Sequence, residues 1–291
     1  MEDVLHPFGE LDVLEYYSKV ATKLKRFLKG REIASRVFIP KFRPLINRGS
    51  KLPPLSAEEL AKTDKKFLKL RKGNGLGEVK GELSKEQEKI WRYFPPRKFA
   101  DLFYATNSEK GKRIDRIFYD LDRGKGTTFE DARKATLLIL EEMKKDKLLK
   151  SKFKPKFFLV YTGSSFHIYL IFTKALDKKI YDEYFAYTKH DPLASLTGKW
   201  ADAAKKKGAK VSGGHEKIAK NITLDPSQTP PGKLARAPFS LHMSDPNTID
   251  GISIPITEKM LKDKNLEKKL KAYTPEKVLK DLDKLAKIFP R

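Results

Sequence analysis

Apolar positions recur at helical spacing near both ends of the chain and at strand spacing in its middle. Leu11, Leu14, Tyr17, Ala21, Leu24 and Leu28 share one face of a helix predicted over residues 11–28, with Gly30 as its stop. Val278, Leu282, Leu285 and Ile288 predict a second amphipathic helix over 275–288. Residues 33–39 read as a strand, and 47–55, with two prolines and a glycine, as a loop. The run 65–80 is basic and dotted with glycine, which predicts a mobile loop that becomes a contact surface near phosphate. Further on, 114–122 reads as a strand, and Thr127-Thr128-Phe129-Glu130 has capping-box spacing for a helix through about Lys145. Residues 157–161 and 166–172 flank Thr162-Gly163-Ser164-Ser165 as a hairpin. Short strands are predicted at 222–224 and 252–256, with Pro226, Pro230 and Pro231 breaking the first; the basic run 199–220 has no clear period.

Composition narrows the function classes. With 291 residues the chain can bury a sizeable core, and an aromatic content of 11% argues against disorder. Lys and Arg number 62 against 38 Asp and Glu, a formal net charge of +24. Such an excess implies a polyanionic partner, most simply nucleic acid. The competing explanation is the lysine-rich surface of a thermophilic protein, although such surfaces raise both signs together. The absence of cysteine excludes disulfides, cysteine-ligated zinc and a thiol nucleophile. Neither a signal peptide nor an apolar run of membrane-span length is found, so the expectation is a cytoplasmic, intracellular protein of thermophilic source with no membrane partner.

Candidate chemistry begins at Asp120-Leu121-Asp122, which closes the apolar run Ile117-Phe118-Tyr119. Side chains of a strand alternate faces, so Asp120 and Asp122 point one way and Tyr119 and Leu121 the other. Two carboxylates side by side at a buried strand end are costly unless something positive lies between them, and Mg²⁺ favours carboxylate and phosphate oxygens. A solvated turn is the plain alternative, since Arg123-Gly124-Lys125-Gly126 follows. His167 sits among apolar neighbours just after the Gly-Ser-Ser turn, whose hydroxyls and N–H groups suit a phosphate. Asp225 closes a third apolar run; its plain reading is a turn residue before Pro226. Three strand-end carboxylates beside a Ser/His cradle make a candidate two-metal phosphoryl-transfer site.

In order and spacing these segments resemble the archaeo-eukaryotic primase superfamily of primase-polymerases. That family carries a hydrophobic strand ending in D-x-D, a strand with S-x-H, and a strand ending in a third Asp. Here they are Phe118-Tyr119-Asp120-Leu121-Asp122, Ser165-Phe166-His167 and Thr223-Leu224-Asp225. The segments Leu224-Asp225-Pro226-Ser227-Gln228 and Ala237-Pro238-Phe239-Ser240-Leu241-His242 are similar to the polymerase domains of end-joining ligases, and the ending Pro238-Phe239-Ser240-Leu241-His242 is also primase-like. Tyr16-Tyr17 and Gly30-Arg31-Glu32 resemble the same two groups, so the likeness spans residues 11–256. Arg123 stands where the end-joining group has Pro, and the missing cysteines remove the zinc element of replicative primases.

The resemblance implies an α/β (α+β) fold, a mixed sheet with an RRM-like catalytic core flanked by helices. It implies one catalytic domain over 1–291, made of an N-terminal part at 1–100, a metal-site core at 101–260 and a C-terminal helix at 261–291. Asp120, Asp122 and Asp225 would bind two Mg²⁺ or Mn²⁺ ions, with no zinc. Ser164, Ser165 and His167 would hold the incoming triphosphate, and Arg236, Ser240 and His242 would contact nucleotide phosphate or sugar. The implied activity is template-directed nucleotide addition to a DNA or RNA primer or an initiating nucleotide, in replication or repair. Its partners would be template and primer DNA, nucleoside triphosphates, and a helicase, a ligase or a large primase subunit. Alternatives are an end-joining repair polymerase, a non-catalytic nucleic-acid-binding subunit, and a D-x-D glycosyltransferase using a nucleotide sugar.

Overall fold

The computed structural model describes residues 13–38, 43–246 and 248–290. It divides into two compact units, each assembled from separated stretches. The first takes Met1–Ala105, Arg236–Ser253 and Lys271–Lys287; the second takes Thr106–Ala235, Ile254–Leu270 and Ile288–Arg291. Among the described residues no helix is long and apolar enough to cross a membrane.

In the first unit, strands β1 (Ile33–Val37), β2 (Leu45–Asn47) and β3 (Ala100–Ala105) are antiparallel neighbours in the order β2-β1-β3. The first helix runs Val13–Leu24 and buries Leu14, Tyr17, Ala21 and Leu24, as its period predicts. Leu11 and Ile39, expected at the edges of that helix and of β1, lie outside the described residues. Residues 65–80 are not a loop. They form helices at Lys65–Arg71 and Leu76–Val79, the first capped by Asp64, whose side chain accepts the Phe67 N–H at 2.7 Å. Lysines mask the apolar stripe there, because one of its buried members is Arg71: its guanidinium lies over the rings of Trp91, at 5.0 Å, and Phe67, at 5.6 Å.

The second unit is built on β4 (Arg113–Arg123), β5 (Lys156–Tyr161), β6 (Phe166–Asp177), β7 (Val211–Gly213) and β8 (Ile222–Asp225). Then β9 (Leu234–Arg236) leads the chain back to the first unit, where β10 (Leu241–His242) pairs with β11 (Gly251–Ile252). Last comes β12 (Ile254–Ile256), which completes the six-stranded order β12-β5-β6-β4-β8-β7. All its pairings are antiparallel except β7 with β8. The predicted 157–172 hairpin is β5–β6. On one face, Tyr119 meets the helix Leu196–Lys206 through Thr197, hydroxyl to hydroxyl at 3.1 Å, and through Trp200. The helix Phe129–Lys145 packs Phe129 against Phe166 on the same face. Its cap is Thr128 with Asp131, one residue later than the Thr127/Glu130 spacing predicts. Part of the structureless-looking 199–220 run is thus helix, started by Ser195, whose hydroxyl accepts the Gly198 N–H at 3.1 Å. The whole is a mixed α/β fold of helices on mixed and antiparallel sheets.

Candidate active site

Alternation along β4 sends Asp120 and Asp122 to the face opposite Tyr119 and Leu121. Register does the rest. Asp120 stands directly across from His167 on β6 and from Asp225 on β8, and His167 stands across from Val160 on β5. One row across four strands therefore carries His167, Asp120 and Asp225, with Asp122 one step further along β4. The next row is aromatic: Phe158, Tyr169 and Phe118, with ring centroids 5.5 Å and 5.1 Å apart. His167 is buried, its ring edge-on to Phe118 at 4.7 Å and its Nε2 3.6 Å from Asp120 Oδ1.

Asp225 is only 6% exposed, and its carboxylate accepts the Ser227 N–H at 2.8 Å and the Ser227 hydroxyl at 3.0 Å. Burial raises its pKa above the ordinary carboxylate value; the Ser227 bonds oppose the rise and the charge of Asp122 adds to it. Asp122 is held by Lys217, whose ammonium is 2.7 Å from Oδ1. Among the described residues, no group of three or more His, Cys, Asp or Glu side chains closes into a metal-binding cluster. Asp122 faces Lys217 and Asp225 faces Ser227 in this arrangement. The donor set still fits Mg²⁺ or Mn²⁺ in kind: three carboxylates on adjoining strand ends, all oxygen, with a cation already seated on one of them.

The Gly-Ser-Ser turn is pinned rather than free. Ser165 donates its hydroxyl to the Leu121 carbonyl, between the two acids of β4, and its N–H to Thr162 Oγ1 at 3.0 Å. With its proton spent on backbone, Ser165 reaches a phosphate as donor only by exchanging that bond. The Ser164 carbonyl accepts Arg123 Nη1 at 3.1 Å, while Arg123 Nη2 donates to the Thr127 carbonyl at 2.5 Å. Arg123 thereby ties the turn before His167 to the turn after Asp122, a role that its place after the D-x-D does not reveal.

Arg236, Ser240 and His242 belong to the first unit and have partners there. Arg236 donates to the Leu241 carbonyl at 2.6 Å and lies 3.2 Å from the buried Asp101, which also pairs with Arg36. Ser240 is fully buried, accepting the Leu102 N–H at 2.8 Å and donating to the Leu241 carbonyl at 2.8 Å. His242 lies on β10 opposite Gly251. Tyr16-Tyr17 and the Phe239-Ser240-Leu241 segment meet in this unit. Tyr16 donates its hydroxyl to the Phe239 carbonyl at 2.8 Å, and the Tyr17 hydroxyl accepts the Leu241 N–H at 3.1 Å. They hold Phe239 at φ 66°, a left-handed conformation costly for a bulky residue.

The fold, a mixed α/β arrangement, is similar to that of a solved polymerase domain. That structure, the polymerase domain from Mycobacterium tuberculosis Ligase D in complex with DNA, matches with a TM-score of 0.57 at 17% identity, covering 96% of this chain and 92% of that chain. No protein-family model matches the chain, and no curated protein matches it.

Proposed function

We propose that the chain is a template-directed nucleotidyltransferase that extends a primer held on template DNA. What supports this most is one arrangement: Asp120, Asp122 and Asp225 stand on adjoining strand ends in a primase-polymerase fold, with His167 in the same row. Asp120, Asp122 and Asp225 would hold Mg²⁺ or Mn²⁺. Bound there, the divalent ions would neutralise charge developing on the transferred phosphoryl group and lower the barrier to attack by a 3′-hydroxyl. His167, steadied by Phe118 and Asp120, would hydrogen-bond the triphosphate. Arg123 fixes the turn that leads into it. The +24 charge would hold template and primer through their phosphates, with little sequence preference. Since the neighbouring solved domain belongs to a ligase, end-joining repair is a second setting for the same chemistry.

The test is nucleotide addition on single-stranded template, with and without a primer, using ribo- and deoxynucleotides separately with Mn²⁺. Primed extension that is lost in Asp120→Asn is expected, and exceeds unprimed synthesis because placing two free nucleotides carries the larger entropic cost. Extension that survives Asp120→Asn refutes the site.

A further inference from the structure

We propose that Lys217 is the resident counter-ion of the D-x-D pair: its ammonium holds Asp122 in the place of a divalent cation, and metal loading requires the lysine to leave. The inference rests on reading Asp120, Asp122 and Asp225 as metal ligands. Lys217 Nζ is 2.7 Å from Asp122 Oδ1. The ammonium thus occupies the Asp122 carboxylate, where a divalent ion would bind.

The loop that presents Lys217 is built to hold it there. Thr223, opposite Asp122 on β8, donates its hydroxyl to the Glu216 carbonyl at 2.9 Å. On the β4 side, Gly124 lies so close to the loop that a Cβ would sit 1.8 Å from the Ile218 carbonyl oxygen. The Gly124 N–H donates to the Asn221 carbonyl at 2.9 Å, and the Lys220 N–H to the Lys125 carbonyl at 2.8 Å. At the loop's start, Gly213 lies so close to the Tyr187 ring that a Cβ would come within 2.6 Å of it. Residues 216–218 are therefore clamped between β8 and the turn after β4, and Lys217 points from that clamp to Asp122.

A monovalent ammonium offsets one carboxylate and cannot draw in the third acid. Asp225 is turned to Ser227, and no three-ligand cluster closes among the described residues. The lysine keeps the strand-end acids compatible with the fold when metal is absent, and it competes with metal for Asp122. It is a positioning residue, and it sets how much divalent ion the site demands.

Mn²⁺ binding without nucleotide, followed by the electron paramagnetic resonance of free Mn²⁺, separates the possibilities. Variants are Lys217→Met, Lys217→Gln, Lys217→Arg, Lys220→Met on the same loop, and Asp122→Asn. Lys217→Met and Lys217→Gln are expected to bind Mn²⁺ about three- to tenfold tighter than wild type, from removal of one competing contact and its charge. Lys217→Arg and Lys220→Met should bind like wild type, and Asp122→Asn should lose the site. Without metal, Lys217→Met should melt lower than wild type, and Mn²⁺ should reverse the difference. Equal or weaker Mn²⁺ binding in both Lys217→Met and Lys217→Gln overturns the counter-ion role and leaves the metal reading standing. Tightening in Lys220→Met as large as in Lys217→Met also overturns it, because general charge would then suffice. No Asp122-dependent Mn²⁺ binding in wild type and Lys217→Met alike overturns the metal reading itself, and the proposal with it.

Discussion

Asp225→Asn should make the metal-free protein more stable while removing its response to metal. Asp225 is buried, faces Asp120 directly across the β4–β8 ladder, and lies within the field of Asp122. Like charges directly opposite on a sheet destabilise by about 0.2–1 kcal/mol, and relief of burial adds to what neutralisation recovers. Asparagine keeps the local bonds: its Oδ1 still accepts the Ser227 N–H, and its Nδ2 can donate to the Ser227 hydroxyl. The expected gain is about 1 kcal/mol, or roughly 2–4 °C in Tm for a chain of this size. The gain should depend on pH with a definite sign. Because the folded carboxyl titrates above its ordinary value of 3.8, the native state takes up a proton more readily than the unfolded one. Wild-type stability from this group is therefore present at low pH and lost as pH rises through the raised value. The gap between Asp225→Asn and wild type should open across that interval and close below it. Thermal unfolding across pH, with and without Mn²⁺, reads both halves. Wild type should be stabilised by Mn²⁺ in proportion to ln(1 + [L]/Kd), and the variant should not. A variant less stable than wild type at neutral pH, or one that keeps the Mn²⁺ shift, would refute the placing of Asp225 among the mutually repelling ligands.

His167→Ala should weaken nucleotide binding by about 1.5–3 kcal/mol while DNA affinity holds, as measured with a fluorescent nucleotide and a labelled duplex; unchanged nucleotide affinity would make His167 a core residue only. Gly124→Ala should cost about 1–3 kcal/mol in urea unfolding, because its Cβ collides with the Ile218 carbonyl and pushes the Lys217 loop off Asp122. Asp101→Asn should cost about 3–5 kcal/mol by the same measurement, since it leaves Arg36 and Arg236 against a buried neutral group; a loss under 1 kcal/mol would show that the pairings carry little. DNA binding should fall with salt at about 0.9 log units per phosphate contacted for each log unit of salt, and a flat response would reduce the +24 charge to a surface feature.

Local geometry carried much of the site. Side-chain alternation put Asp120 and Asp122 on one face whatever β4 paired with, and the hairpin around Gly163 followed from two β-rich runs and their turn. The helices at Val13–Leu24, Phe129–Lys145 and Pro275–Ala286 were legible because each buries an uninterrupted apolar stripe. Where the stripe includes a charged residue, as at Arg71, the pattern misleads, since the Trp91 and Phe67 rings and the Phe94 carbonyl that make that burial tolerable come from the fold and not from the spacing. Register is not a local property. That Asp120 meets both His167 and Asp225 is decided by which strands pair and by how far each slides, and one residue of slip would turn every side chain to the other face. Tertiary pairing also sent the Ser165 proton to the Leu121 carbonyl, brought Tyr16 and Tyr17 to Phe239 and Leu241, and set Lys217 on Asp122. Spacing along the chain states which residues can share a face; only the folded chain, through contacts such as that of Tyr17 with Leu241, 224 residues apart, decides which charge sits opposite which.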